Sequence, residues 1–251
     1  MCAVDALIER TFHAEQRHFW YRGFKRFVAP LLEHATRGRT RPLLLDAGCG
    51  TGANLPLLAK YGTPFGLELN ARGLRFGRDR GIRRLSQGSV TALPYTSASL
   101  DVVASFDVLY CLHPPEAKAA IDEMYRVLRS GGWLVVNTAA MKMLRGDHSI
   151  LGGEVHRYSR DELRTTLQAA GFEVVRITYT NAFLFPLMAA ARFAQRARGL
   201  KTGKQNKGDF HVPPAPVNSL LASMLAVESA LVGAGIDMPA GSSLLCLARK
   251  P

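Results

Sequence analysis

Paired cysteines are missing from this chain. Its four cysteines, Cys2, Cys49, Cys111 and Cys246, are scattered without a C-x-x-C spacing, which argues against both a zinc site and a disulfide framework. A reducing, cytoplasmic compartment is the expectation. The first residues also lack the order of a secretory signal, because Asp5, Glu9 and Glu15 come early. No apolar run reads as a bilayer span: the best stretch, Leu220 to Ile236, is interrupted by Glu228 and is rich in small residues. A soluble protein without a transmembrane segment is expected, and no internal repeat is visible.

Acidic residues are the other shortage, 20 against 32 Lys and Arg, leaving a net charge of +12. Such basicity invites a nucleic-acid partner, but its distribution weakens that reading. Arg72, Arg75, Arg78, Arg80, Arg83 and Arg84 follow helices, and the charge thickens later in Arg192, Arg196, Arg198, Lys201, Lys204 and Lys207. That stretch contains Gly199, Gly203 and Gly208 and ends in Pro213-Pro214-Ala215-Pro216. Residues 199–216 therefore read as a mobile, solvated linker, with an acidic partner, an anionic substrate or a membrane surface as other uses of its charge.

What the chain has is a core-forming composition and a glycine-rich loop. Its 251 residues at 47% hydrophobic content fit one enlarged α/β domain. Leu43-Leu44-Leu45-Asp46 is an apolar run ending at a carboxylate, and Gly48, Gly50 and Gly52 then follow at alternate positions. Such a loop turns sharply and lets backbone approach a ligand, and the helix after it, near 53–60, aims free N–H groups at the same place. Glu68 ends the next apolar run, 22 positions after Asp46, a spacing that suits one strand, one helix and a neighbouring strand, with Glu68 placed to accept ribose hydroxyls. Gly48, Gly50 and Ala53 also satisfy the dinucleotide fingerprint. Asp46 argues against that alternative, since it would repel a pyrophosphate and suits a ligand bearing an ammonium and a sulfonium.

Asp46-Ala-Gly-Cys-Gly-Thr-Gly52 resembles the first motif of the class I S-adenosylmethionine-dependent methyltransferases. Ser89-Val-Thr-Ala-Leu-Pro-Tyr95, Leu100-Asp-Val-Val-Ala-Ser-Phe106 and Val127-Leu-Arg-Ser-Gly-Gly-Trp-Leu-Val-Val136 follow in the family's order and spacing. The resemblance covers roughly residues 40–180. It implies S-adenosylmethionine as cofactor, no metal, and a small-molecule acceptor methylated at oxygen, nitrogen or an activated carbon. Carried over by position, Asp46, Gly48, Cys49 and Gly50 serve the methionyl end and the loop, Glu68 and Leu69 the ribose side, and Val90 the adenine edge. Ser89 stands where many relatives have an aspartate, so its bond to the adenine amine would be weaker. Phe106 walls the methionyl chain.

The fold implied is a doubly wound, Rossmann-like seven-stranded sheet, mostly parallel with an antiparallel last strand. Strands are expected near 42–46, 64–68, 84–87, 101–106, 133–138 and 172–179, with helices near 53–60, 71–79 and 116–129 between them. Ser159-Arg-Asp-Glu162 is a capping box for a further helix. As one domain, the chain divides into an N-terminal helical cap (1–38, with an aromatic helix over 4–33), a cofactor-binding core (39–180), a helical insertion with the basic linker (181–242) and a last edge strand (243–251).

On the acceptor side, His156 is the favoured base or orienting group, beside Tyr158 and Arg157 in Gly152-Gly-Glu-Val-His-Arg-Tyr158. Asp107, at the carboxyl end of the fourth strand, is either a base or a cap for the next turn. In the N-terminal helix, core packing is expected of Phe19 or Trp20, and a polar contact of Tyr21 or Arg22. Two other classes stay open. A nucleic-acid methyltransferase suits the charge, but His113-Pro114-Pro115-Glu116 is a poor match for an amine-holding Asn/Asp-Pro-Pro-aromatic segment, and Cys111 follows a tyrosine rather than a proline. The third class is a noncatalytic S-adenosylmethionine-binding module.

Overall fold

A computed structural model describes residues 3–146, 149, 153–199 and 212–251. Most of the basic linker, with Lys201, Lys204 and Lys207, lies outside the described residues, as do Cys2, His148 and Gly152. The central sheet has the order β3-β2-β1-β4-β5-β7-β6. Its strands are β1 (Leu43–Ala47), β2 (Thr63–Glu68), β3 (Leu85–Gln87), β4 (Leu100–Phe106), β5 (Leu128–Ala139), β6 (Glu173–Thr180) and β7 (Ser243–Arg249). Only β7 runs antiparallel to its neighbours. This is the expected doubly wound architecture, and β1 lies where the strand order reverses, the place at which such sheets bind ligands.

One expectation about this sheet is corrected. The last strand does not lie at an edge: β7 is hydrogen-bonded to β5 on one side and β6 on the other. Its sequence Ser-Leu-Leu-Cys-Leu-Ala is buried throughout, and a strand covered on both faces has most to gain from an interior position, whereas β6, Glu173–Thr180, alternates exposed and half-buried residues at its start as an edge strand does.

The N-terminal segment is two helices rather than one, α1 (Ala3–Ala14) and α2 (Phe19–Thr36), broken at Glu15–His18. His18 caps α2, its ring accepting from the Trp20 N–H at 3.2 Å. The other helices are α3 (Leu55–Leu58), α4 (Ala71–Asp79), α5 (Pro114–Val127), α6 (Arg160–Ala169), α7 (Phe185–Ala197) and α8 (Ala215–Gly233). The Ser159–Glu162 capping box opens α6 as its spacing predicts. Two apolar layers enclose the sheet, one around Leu45, Leu67, Val103, Leu134 and Ile121, the other around Phe27, Leu44, Val102, Val135 and Leu245.

By length and composition alone helix α8 is apolar enough to cross a membrane, but it is packed against α2. Glu228 does not interrupt it. That carboxylate is fully buried and accepts the N–H groups of Ala182 and Phe183 at 2.9 and 3.0 Å, so its charge is satisfied inside the fold.

Candidate functional site

The loop after β1 is built by three glycines with positive φ, Gly48 at 90°, Gly50 at 55° and Gly52 at 75°. The Gly48 and Cys49 N–H groups both donate to the Leu67 carbonyl at 2.8 Å, tying the loop to the end of β2. Glu68 completes the tie: its two oxygens accept from Gly50 N and Asn70 N, each at 2.8 Å. Leu69 follows with 67% of its surface exposed, an uncommon exposure for a leucine beside a carboxylate. It lines an open groove of about 630 Å³ with Asp5, Glu68, Asn70, Ala71, Arg72 and Arg75.

Asp46 is the unusual group. Its side chain is 1% exposed, and neither carboxylate oxygen has a hydrogen-bond partner among the described residues. Burial, and next the charge of Glu68, push its carboxyl up to about 7. A buried carboxylate without donors is costly. A ligand that brings an ammonium to this spot removes the cost, which is the fit expected for the methionyl end of S-adenosylmethionine.

Helix α1 lies across this region. Asn70 donates to Asp5 at 3.0 Å, Arg72 to Glu9 at 2.9 Å, and Phe12 stacks on Phe76 at 4.2 Å. Its end is fixed at Glu15, which accepts from the Thr51 hydroxyl at 2.8 Å and pairs with Arg80. Glu15 is 4% exposed, and burial raises its carboxyl despite these partners.

Between residues 45 and 136 the chain matches the family described as "Methyltransferase domain". Over this stretch it is similar to the S-adenosylmethionine-dependent methyltransferases. A "Probable S-adenosylmethionine-dependent methyltransferase" of Mycolicibacterium smegmatis is 30% identical over 66% of this chain and 64% of its own length. A malonyl-[acyl-carrier protein] O-methyltransferase of Herminiimonas arsenicoxydans is 30% identical over 61% of each. The chain thus spans less than two thirds of these curated relatives. Its fold is also that of geranyl diphosphate methyltransferase solved with geranyl diphosphate and sinefungin, with a TM-score of 0.54 at 18% identity, over 88% of this chain and 76% of that one.

Around Asp107 the carboxyl ends of β4 and β5 meet. Asp107 has a φ of 61°, a left-handed conformation rare outside glycine. Asn137 of β5 holds it: Asn137 Nδ2 donates to Asp107 Oδ1 at 2.8 Å, and Asp107 N donates to the Asn137 carbonyl at 2.9 Å. Burial raises the Asp107 carboxyl to about 7, with the Asn137 bond and the Arg157 charge working against the rise. Tyr21 and Tyr110 both feel this carboxylate, and burial first, then neighbouring charge among other groups, raises each phenol above its ordinary value.

The segment after β5 is laced onto the same place. Val155 N and His156 N both donate to the Tyr110 carbonyl, at 2.8 and 3.0 Å. Arg157 forms a bidentate pair with Glu154 at 2.7 and 2.6 Å and donates to the Ala140 carbonyl at 2.8 Å. His156 Nε2 lies 2.7 Å from Glu162 Oε1, the residue that closes the α6 capping box. Tyr158 is 5% exposed within the core and donates its N–H to the Ala139 carbonyl at 3.0 Å.

The fold therefore brings Asp46, Gly48, Cys49, Gly50, Glu68 and Leu69 together, places Tyr21 where it feels the Asp107 charge, and pairs His156 with Glu162. Phe106 is buried edge-on against Phe24 at 5.1 Å. Trp20 stacks on Phe24 at 5.6 Å, and Arg22 is exposed. Val90 is buried in the core, while the Ser89 hydroxyl lies 2.7 Å from that of Thr91 and accepts the Thr91 N–H, so a turn already occupies it. Pro114 and Pro115 open α5 behind His113, whose N–H donates to Glu116 at 3.0 Å. Among the described residues no cluster of His, Cys, Asp and Glu could hold a metal ion. Sequence reading missed Asn137, Tyr110, Glu15 and Thr51. Asn137 alone carried a signal, an amide inside the apolar run of β5.

Proposed function

We propose that the chain binds S-adenosylmethionine between Asp46 and Glu68 and transfers its methyl group to a small-molecule acceptor at oxygen, nitrogen or an activated carbon. The unpartnered, buried Asp46 carboxylate carries this reading. When bound, S-adenosylmethionine supplies a methyl group on a sulfonium, whose departure as a neutral thioether makes the displacement easy. Asp46 would hold the ammonium, Gly48, Cys49 and Gly50 would bring backbone close, Glu68 would accept the ribose hydroxyls and Leu69 would cover the adenine side with Val90. Phe106, Trp20 and Phe24 keep water from the reacting end. Asp107 is the group suited to take a proton from the acceptor, being near neutrality in its ionisation and clamped by Asn137 at one oxygen only. His156, with Tyr158 beside it, is assigned to orient the segment that carries Arg157.

A small acceptor is favoured over a nucleic acid because Pro114 and Pro115 are spent on opening α5 and because two of the proteins named above are named for a carrier-bound and a small acceptor, malonyl-[acyl-carrier protein] and geranyl diphosphate. A reduced, cytoplasmic setting agrees with Cys49 and Cys246 being buried thiols. The test is turnover of methyl-labelled S-adenosylmethionine with a pool of small metabolites and, in parallel, with bulk RNA. Label in the small-molecule fraction is expected. Label in RNA would favour the nucleic-acid class, and tight binding without turnover the noncatalytic module.

Two further outcomes follow from the cofactor end. Glu68→Ala removes a charged acceptor whose bonds are worth about 1.5 to 3 kcal/mol each, so calorimetry should show S-adenosylmethionine binding at least about tenfold weaker. Because the same carboxylate pins Gly50 and Asn70, the melting temperature should fall too. Unchanged affinity in a folded variant would remove the ribose assignment. The second outcome concerns pH. Asp46 titrates near 7 when folded against 3.8 ordinarily, so the neutral form favours folding: its contribution is in place below the ordinary value and is lost as pH rises through about 7. Melting of the ligand-free protein should therefore decline between about pH 5 and 7.5 more steeply in the wild type than in Asp46→Asn. Affinity for S-adenosylmethionine should move the opposite way, rising by up to about tenfold per pH unit below 7 as Asp46 ionises. Identical slopes in wild type and Asp46→Asn would refute the assignment.

A further inference from the structure

Helix α8 is apolar nearly all round, its one charged residue being the buried Glu228. A helix of that composition is ordinarily covered on every side. Among the described residues one face is fully covered and its borders are half-buried. Leu225, Ser229 and Val232 are buried, and Leu225 packs where α2 has Gly23, on which a Cβ would come within 2.5 Å of Leu225 Cδ1. A second face presents Val217, Leu220 and Val227, while Met224 and Leu231 at its border are half-buried against the core. Val217, Leu220 and Val227 are 47%, 63% and 56% exposed.

Helix α7 widens the patch. Met188, with Leu184 just before the helix, shares a core cluster with Leu221, Met224 and Leu225 of α8, while Leu187 and Phe193 are 65% and 76% exposed. The charge beside the patch is of one sign. Arg22 and Arg26 of α2 are exposed, and neither has an ion-pair partner among the described residues. Across α2, α7 and α8 the acidic residues are Glu33 and the buried Glu228 alone.

We propose that the α7–α8 face docks on an anionic lipid surface, the exposed Val217, Leu220, Val227, Leu187 and Phe193 entering the acyl boundary and Arg22 and Arg26 meeting lipid phosphates. An exposed apolar face beside basic residues is the pattern of interfacial helices. The helix lies on the membrane rather than spanning it, because its other face is committed to α2 and to the Ala182 and Phe183 N–H groups. A second copy of the chain fits less well: an isologous pairing through this face brings the arginines of both copies to one seam.

Cosedimentation of the full chain with phosphatidylcholine vesicles, with and without phosphatidylglycerol, tests this. Binding is expected only to the anionic vesicles, and it should weaken at least about tenfold when salt rises from about 0.05 to 0.5 M, as screening shortens the reach of the charges. Leu220→Glu with Val227→Glu, and separately Arg26→Glu, should each reduce binding by a similar factor while the melting temperature stays within a few degrees of wild type. Absence of binding to anionic vesicles would overturn the proposal, as would binding that neither variant weakens. A concentration-dependent dimer that Leu220→Glu dissolves, without vesicle binding, would assign the face to a second copy instead. Vesicle binding is read without S-adenosylmethionine, so failure here leaves the methyltransferase reading untouched.

Discussion

Gly48→Val is expected to abolish S-adenosylmethionine binding, with affinity at least about a hundredfold below wild type by calorimetry, a loss of about 2.7 kcal/mol or more. Two costs combine. At a φ of 90° a side chain is strained wherever it points, at roughly 1 to 2 kcal/mol. A Cβ there would also press into the Val108 side chain, which belongs to the turn just after Asp107. To relieve the clash either the loop or that turn must move, and the loop is fixed by the Gly48 and Cys49 N–H bonds to Leu67. Because the displacement reaches Asp107, turnover should fall even at saturating cofactor. Circular dichroism decides whether the variant folds, and Gly48→Ala, with the same φ but less bulk, should bind measurably and weakly. Affinity near wild type in a folded Gly48→Val protein would exclude close backbone approach at this position.

The second large effect is expected at Asp107. If it accepts the acceptor's proton, Asp107→Asn should lower kcat by about 10² to 10⁴ with cofactor affinity little changed, the range typical of general base catalysis. The amide oxygen of asparagine can still accept from Asn137, so the loss would report on ionisation rather than on a broken clamp. Wild-type kcat should rise with pH through about 7, where burial has placed the Asp107 carboxyl, and the residual rate of Asp107→Asn should lose that step. His156→Ala distinguishes the roles. With its 2.7 Å link to Glu162 gone, it should melt lower and lose a smaller factor in kcat, keeping the pH step. A flat profile in the wild type together with full activity in Asp107→Asn would mean that the acceptor arrives deprotonated and that no base is used. If His156→Ala instead removes the step, the base is His156.

The cofactor end was legible because its requirements are local. Gly48, Gly50 and Gly52 all adopt the positive φ their spacing announces, and Asp46 and Glu68 end adjacent parallel strands, as a separation of one strand and one helix demands. The acceptor side was not legible in the same way. His156 stands out in a sequence because a histidine flanked by arginine and tyrosine reads as chemistry, yet its partner Glu162 was already accounted for as a helix cap. Asp107 read equally as a base and as a cap for the next turn. Its raised ionisation comes from burial, against the opposing bond from Asn137, thirty positions away on the next strand, and no pattern within either segment records that meeting. The break at Glu15–His18 was hidden for the same reason, since Glu15 is satisfied by Thr51 and Arg80 from other elements.

By itself the sequence determined the family resemblance, the alternation of strands and helices, the place of the glycine loop and the carboxylates that flank it, because periodicity and backbone conformation depend on neighbours a few positions apart. Only the tertiary structure decided that β7 enters the sheet between β5 and β6, that Asp46 is buried without a donor, that Asn137 clamps Asp107, and that α8 keeps an apolar face exposed. Each of these depends on which distant segments share a surface, and burial, which sets the cost of a charge and the gain from an apolar side chain, exists only once they do.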